Sequence, residues 1–209
     1  MKIDFVSDVA CPWCAVGLNA LERALEKIGD EIPVEIHFQP FELNPTMPPE
    51  GADTVEYLSG KYGISAEQIA QNQANIRARG AAVGFAFGTR GRVWNTFDAH
   101  RLLAWAADAG YQRELKHALL KAYHGEGRNP GAHDVLLELA GQVGLDVDRA
   151  REILRGDEYA AEVREAEQFF QRAGIHSVPA VIINEKHLIS GGQPPEVFEQ
   201  ALRQIAAEA

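Results

Sequence analysis

The chain has 209 residues, enough for one sizeable domain or a domain carrying a large insertion. Its 46% hydrophobic and 24% charged residues are ordinary for a globular protein, and a formal charge of −10 with no cluster of Lys and Arg argues against a nucleic-acid surface. No apolar run approaches the roughly 18 residues of a membrane span, and the opening residues MKIDFVSDVACPW lack the basic and long apolar regions of a secretory signal, so the expected location is cytoplasmic.

Residues 2–7, KIDFVS, alternate polar and apolar side chains as a short strand does. The tetrapeptide Cys11-Pro12-Trp13-Cys14 follows, and then Leu18, Leu21, Leu25 and Ile28 recur at helical spacing up to Gly29. Pro12 suits the first helical turn, where its missing N–H costs nothing. Cys11 is thereby placed where a strand hands over to a helix N-terminus. Residues 33–41, PVEIHFQPF, read as a second strand, and FELNPTMPPEG as a boundary loop rich in Pro and Gly.

From residue 53 to 172 the pattern is mostly helical. TVEYLSGKYG is a helix with a Gly stop, and Ser65 with Gln68 three residues later opens another by a capping box. VWNTFDAHRLLAWAADAG sets Phe97, Leu102, Trp105 and Ala106 near one face. YQRELKHALLKAYHGEG, HDVLLELAGQVG and DRAREILRGDEYAAEVREAEQFFQRAG continue in the same style. RARGAAVGFAFGTRGRV, with glycines at 80, 84, 88 and 91, reads as a flexible loop without a phosphate-binding pattern. Residues 175–183, IHSVPAVII, read as a loop and a strand, joined to the strand KHLIS by a turn at Asn184-Glu185. PPEVFEQALRQIAAEA closes the chain as an amphipathic helix.

A strand–helix–strand unit at one end and a strand–strand–helix unit at the other can complete one small mixed sheet. The expected class is α/β, a mixed sheet flanked by helices, with a large all-helical insertion. The expected division assigns 1–45 plus 173–209 to the sheet domain and 46–172 to the insertion.

Cys11 and Cys14 are the only cysteines. A Cys at a helix N-terminus meets unpaired backbone N–H groups and the positive end of the helix dipole, and both favour thiolate. In a C-x-x-C motif the first cysteine's pKa falls from about 8.5 into roughly the 3.5–7.5 range. The spacing lets Cys14, one turn inside, resolve a mixed disulfide formed at Cys11. Two other readings stay open. A zinc site needs four ligands, and His100, His117, His124 and His133 lack a standard ligand spacing. A buried structural pair is the other, since free Cys is often core.

The segments SDVACPWC at 7–14, FELNP at 41–45, NTFDAHRLLAWA at 95–106, GIHSVPAVIIN at 174–184 and SGGQP at 190–194 resemble, in the same order, the DsbA-like branch of the thioredoxin superfamily. The resemblance is closest to its cytosolic FrnE-like oxidoreductases. It implies a thioredoxin-like fold with a helical insertion and a thiol–disulfide oxidoreductase or isomerase. It also implies that Val178–Pro179 is cis and lies beside the cysteines, shaping the site together with Pro12 and Trp13. Cis X–Pro bonds are only about 5–6% of those in folded proteins, so residues alone point to trans. One departure stands out. Strong oxidants of the family carry a His between the cysteines, and here Pro12 and Trp13 stand there, so a milder depression of the Cys11 pKa is expected.

Asn95 and His100 have two readings: they face the cysteines from the insertion, or Asn95 or Thr96 caps a helix while His100 is a surface or satisfied buried imidazole. Trp94, Phe85 and Phe87 are either groove lining or core. The expected substrate is a disulfide-containing protein or small molecule, with glutathione a candidate co-substrate, no other cofactor, and no metal, nucleic-acid or membrane partner. The alternative function is a glutathione-dependent isomerase or transferase of the 2-hydroxychromene-2-carboxylate isomerase or kappa type, whose members use Ser where this chain has Cys11. A holdase using an apolar groove is the non-enzymatic alternative.

Overall fold

The computed structural model describes residues 1–208. In chain order its elements are β1 (Lys2–Ser7), α1 (Pro12–Ile28), β2 (Glu35–Pro40), β3 (Ala52–Asp53), α2 (Thr54–Tyr62), α3 (Ala66–Ala82), β4 (Arg92–Val93) and α4 (Phe97–Asp108). Then come α5 (Gln112–Leu120), a π turn over Lys121–Gly125, α6 (His133–Gln142), α7 (Val147–Arg155), α8 (Ala160–Arg172), β5 (Ala180–Ile183), β6 (His187–Ser190) and α9 (Pro195–Ala207).

The main sheet has the order β2-β1-β5-β6. β1 and β2 are parallel, which requires a crossover, and α1 supplies it. β5 runs antiparallel to both β1 and β6, giving the expected mixed sheet flanked by helices. The β5–β6 connection spans residues 184–186, and Asn184 and Glu185 are both at positive φ (51° and 59°), the conformation that tight hairpin turns matched to strand twist use.

β1 is buried over most of its length, not on one face only. Ile3 and Phe5 meet Leu18 and Leu21 of α1 and Phe198 and Leu202 of α9. Val6 meets Phe41, Phe170 and Ile175 on the other face. Asp4 shares that second face and is satisfied by the Gln39 amide at 2.7 Å and the Lys2 ammonium at 3.2 Å. A separate core fills the helical block, with Leu102, Leu119, Tyr123, Leu136 and Ile153 at its centre. That core also takes in Val9 and Ala10, so the helical block holds the residues leading to the cysteines.

Three details differ from the sequence expectation. First, DRAREILRGDEYAAEV is broken, with α7 ending at Gly156 and Tyr159 at φ 62° before α8. The buried Arg101 guanidinium occupies the break, donating to the carbonyls of Ile153, Gly156 and Glu158, while Nη1 pairs with Asp98 at 2.8 Å. Second, β3 and β4 form a two-residue antiparallel pair, too short to leave a periodic signal. Third, the glycine-rich stretch is not a free loop. Its first part is the end of α3, and a Cβ on Gly88 would lie 2.1 Å from the Gly125 oxygen. A Cβ on Gly80 would lie 2.4 Å from the Phe87 ring. These glycines permit close approach of chain to chain.

Candidate active site

The turn before α1 sets the site. Cys11 is the N-cap residue in extended conformation and Pro12 opens the helix. The Cys11 N–H donates to the Asp8 carbonyl at 3.2 Å, and the Cys14 N–H donates to the Cys11 carbonyl at 3.1 Å. Both cysteines are free thiols; Cys11 keeps 4% exposure and Cys14 none.

Their titration splits. A hydrogen bond from the Cys14 thiol holds Cys11 below the usual thiol range, helped by the N–H groups of Cys14 and Trp13, while burial and the Asp8 carboxylate oppose it. Burial pushes Cys14 well up, and the neighbouring Cys11 sulfur adds to the effect. Of the pair, the more accessible sulfur is therefore the one that ionises first, and Cys14 holds its proton to higher pH.

The loop before β5 meets this turn. Cys11 Sγ lies 3.6 Å from the Val178 carbonyl oxygen, and the Val178–Pro179 peptide bond is cis. Glycines allow the approach: a Cβ on Gly17 would touch Pro179 Cγ at 3.0 Å, and one on Gly192 would touch the Trp13 backbone oxygen at 3.1 Å. Trp13 thus lies under the SGGQP segment, and Pro12 and Val178 line a groove of about 620 Å³ that opens onto Cys11.

Beneath the cysteines lies a buried polar cluster. Asp8 accepts from the Ala10 N–H at 3.0 Å, the Leu43 N–H at 2.7 Å, Thr96 Oγ1 at 2.7 Å and His100 Nε2 at 3.3 Å. Burial pushes its carboxyl up, but His100 and the two backbone donors outweigh that and hold it below its ordinary value. Lys116 of α5 is fully buried, with no hydrogen-bond partner for Nζ among the described residues. Burial lowers its pKa, while negative charge at Cys14, Asp8 and Cys11 favours its ammonium form. A crevice of about 230 Å³ between β2, α4, α5 and α8 reaches His100 and Lys116 from the opposite side.

The structure brings Cys11, Pro12, Trp13, Cys14, Val178 and Pro179 together. It separates the two insertion residues. Asn95 Oδ1 accepts the Phe97 N–H at 2.8 Å at the start of α4, whose N-cap residue is Thr96, and Asn95 does not line the groove. His100 is buried against Asp8 and does not line the groove over the cysteines. Of the aromatics with two readings, Phe85 belongs to the sheet core, Trp94 packs edge-on against Tyr123, and Phe87 lines a smaller pocket beside the groove, while α2 and α3 supply Tyr57, Tyr62, Ile69 and Ile76 as the groove wall. Asp8, Lys116 and Arg90 went unrecognised. Lys116 left a signal, since it shares a helical stripe with Leu119 and Leu120.

Residues 2–203 match the family model described as "DSBA-like thioredoxin domain". The chain is 30% identical to the Bacillus subtilis protein YwbO over 203 residues, covering 97% of this chain and 96% of that one. Among solved structures it is similar to a "probable DsbA oxidoreductase" from Streptomyces coelicolor, with 36% identity, a TM-score of 0.94, and coverage of 100% of this chain and 91% of the other. It also shares its fold with the cytosolic disulfide reductase DsbM from Pseudomonas aeruginosa solved with GSH, at 18% identity and a TM-score of 0.69, covering 99% and 100%.

Proposed function

The chain belongs to the DSBA-like thioredoxin family, and from that membership we propose a thiol–disulfide oxidoreductase in which Cys11 attacks and Cys14 resolves. The carrying observation is the asymmetry of the pair: Cys11 lines the groove and Cys14 is enclosed, with the Cys11 pKa lowered and the Cys14 pKa raised to match.

Cys11 thiolate attacks one sulfur of a substrate RS–SR′. The Cys11–SR bond forms, the substrate S–S bond breaks, and R′S⁻ leaves and takes a proton from water. Cys14 then gives its proton to solvent, a step that positive charge on the buried Lys116 side chain favours, and attacks Cys11 Sγ. The intramolecular disulfide forms and RS⁻ departs. Two electrons pass from the dithiol to the substrate, and the reverse sequence oxidises a substrate dithiol. The Val178 backbone beside Cys11 offers main-chain groups to an extended substrate.

The substrate in this reading is a protein or small-molecule disulfide, with glutathione as candidate co-substrate; the DsbM structure solved with GSH supports that choice. Placement in the cytosolic FrnE-like branch is part of the same proposal and rests on the Cys-Pro-Trp-Cys motif and the segments around it.

The test is the redox equilibrium of Cys11 and Cys14 against glutathione buffers, followed by Trp13 fluorescence. A potential of about −180 mV or higher identifies an oxidant or isomerase, and one near about −270 mV a reductase. If no intramolecular disulfide forms, the dithiol reading fails and the glutathione-dependent isomerase takes its place.

A further inference from the structure

Beside the groove over Cys11 lies a second pocket of about 180 Å³, and Pro12, Gln73, Ile76 and Arg90 line both. Neither lining contains an aspartate or a glutamate. The chain as a whole has 30 acidic and 20 basic residues, so this wall runs against its average. The smaller pocket carries Arg77 and Arg90 instead, with His124 at its floor.

Neutral groups fix Arg90 in place. Its Nη1 donates to the Ala10 carbonyl at 3.1 Å, one residue before Cys11, and meets His124 Nδ1 at 3.4 Å. The guanidinium lies 5.3 Å from the Tyr123 ring centre. His124 brings no charge: burial drives its pKa well down, and its Nε2–H donates to the Val9 carbonyl at 2.8 Å, which leaves Nδ1 as an acceptor. Arg90 also reaches the Tyr123 hydroxyl, a neutral partner, and among the described residues neither Arg90 nor Arg77 is paired with a carboxylate. Two guanidinium groups with no counter-charge make a seat for a planar anion.

We propose that the Arg77–Arg90 pocket binds a carboxylate carried on the substrate, so that the preferred substrate is an anionic disulfide. This assignment rests on the oxidoreductase reading and names the substrate class of that site. Arg77 and Arg90 act as positioning residues: they hold the anionic end while the adjoining groove presents the disulfide to Cys11. The electrons and bonds are those of the exchange already given, and the carboxylate takes no part in them.

The test uses pre-reduced protein mixed once with dithiodipropionate or with neutral hydroxyethyl disulfide, each rate normalised to that of dithiothreitol with the same disulfide. The normalised rate for dithiodipropionate is expected to be roughly five- to tenfold higher. The preference shrinks as salt rises, because an accessible ion pair is screened. Arg77→Gln brings the ratio close to one, whereas Arg113→Gln, outside both pockets, retains it. Equal normalised rates in the unmodified protein overturn the inference and leave the oxidoreductase reading standing. If neither disulfide reacts, that reading fails instead, and calorimetry on the Cys11→Ser/Cys14→Ser double variant decides the pocket. Salt-sensitive binding of dithiodipropionate, weakened by Arg77→Gln, supports it, and binding no tighter than that of hydroxyethyl disulfide overturns it.

Discussion

Cys11 Sγ stands 3.6 Å from the backbone oxygen of Val178, so the first cysteine of the motif and the loop before β5 are one site built from two distant parts of the sequence. The approach depends on Gly17. Its replacement by Ala gains about 1 kcal/mol of helix propensity, but the new methyl lies 3.0 Å from Pro179 Cγ and 3.4 Å from the Gly192 backbone. Overpacking of this kind costs about 1–3 kcal/mol and here falls on a loop that must hold its place. Gly17→Ala should lower the urea midpoint modestly and slow reaction with disulfides more than with iodoacetamide, which needs no substrate seat. Equal slowing of both would show that the loop is not involved.

The two thiols should titrate apart. The depressed Cys11 pKa predicts that iodoacetamide labels Cys11 alone, with an inflection below the free-thiol value of about 8.5. The linkage signs follow. Ionised Cys11 stabilises the reduced protein fully above about pH 8.5, and that contribution is lost as pH falls through its depressed value. Cys14 has the opposite sign: its contribution is complete below about pH 8.5 and is lost as pH rises toward its raised value. Mass spectrometry of labelled peptides across pH checks the order, and early labelling of Cys14 would reverse the assignment of roles.

Lys116 offers a separation of stability from chemistry. Its Nζ is enclosed without a hydrogen-bond partner among the described residues, a costly arrangement for a polar group and more so when it is charged. Lys116→Met should therefore leave the denaturation midpoint unchanged or raise it, by up to about 1–4 kcal/mol in stability. The same change removes the positive charge that favours the Cys14 thiolate, so mixed disulfides at Cys11 should persist longer. Quenched-flow trapping of the mixed species measures this, and unchanged lifetimes would limit Lys116 to packing.

Arg101 predicts the converse. Its guanidinium satisfies three carbonyls at the α7–α8 break and is paired with Asp98. Arg101→Leu strands those acceptors and should cost about 3–5 kcal/mol. The iodoacetamide profile of Cys11 should stay as it was under conditions where the variant is folded. A shifted profile would mean that the break and the site are coupled.

What could be read from the sequence was local. The strand handing over to a helix, Pro12 in the first turn, the capping box at Ser65 and the hairpin turn at Asn184-Glu185 all depend on neighbours a few residues away. The resemblance added the cis bond at Pro179, which residue statistics alone oppose. The polar floor depends on residues far apart in the chain. Asp8 is one carboxylate among many until Thr96 and His100 are brought to it, and Arg90 sits in a segment whose glycines suggested freedom where the fold uses them for contact. Lys116 was the exception, a charge on an apolar stripe.

Asp8 draws its four donors from three stretches of chain: Ala10 from its own turn, Leu43 from the segment after β2, and Thr96 and His100 from the start of the helical block. It is a joint held from both sides. A chimera that kept the sheet and exchanged the helices would leave this carboxylate with two donors and no imidazole. The grafted helices would then have to supply a hydroxyl and an imidazole at the same spot, or the cysteines above would inherit a neighbour of altered charge. The environment of the cysteines is in that sense owned jointly by two parts of the molecule, and neither carries it away alone.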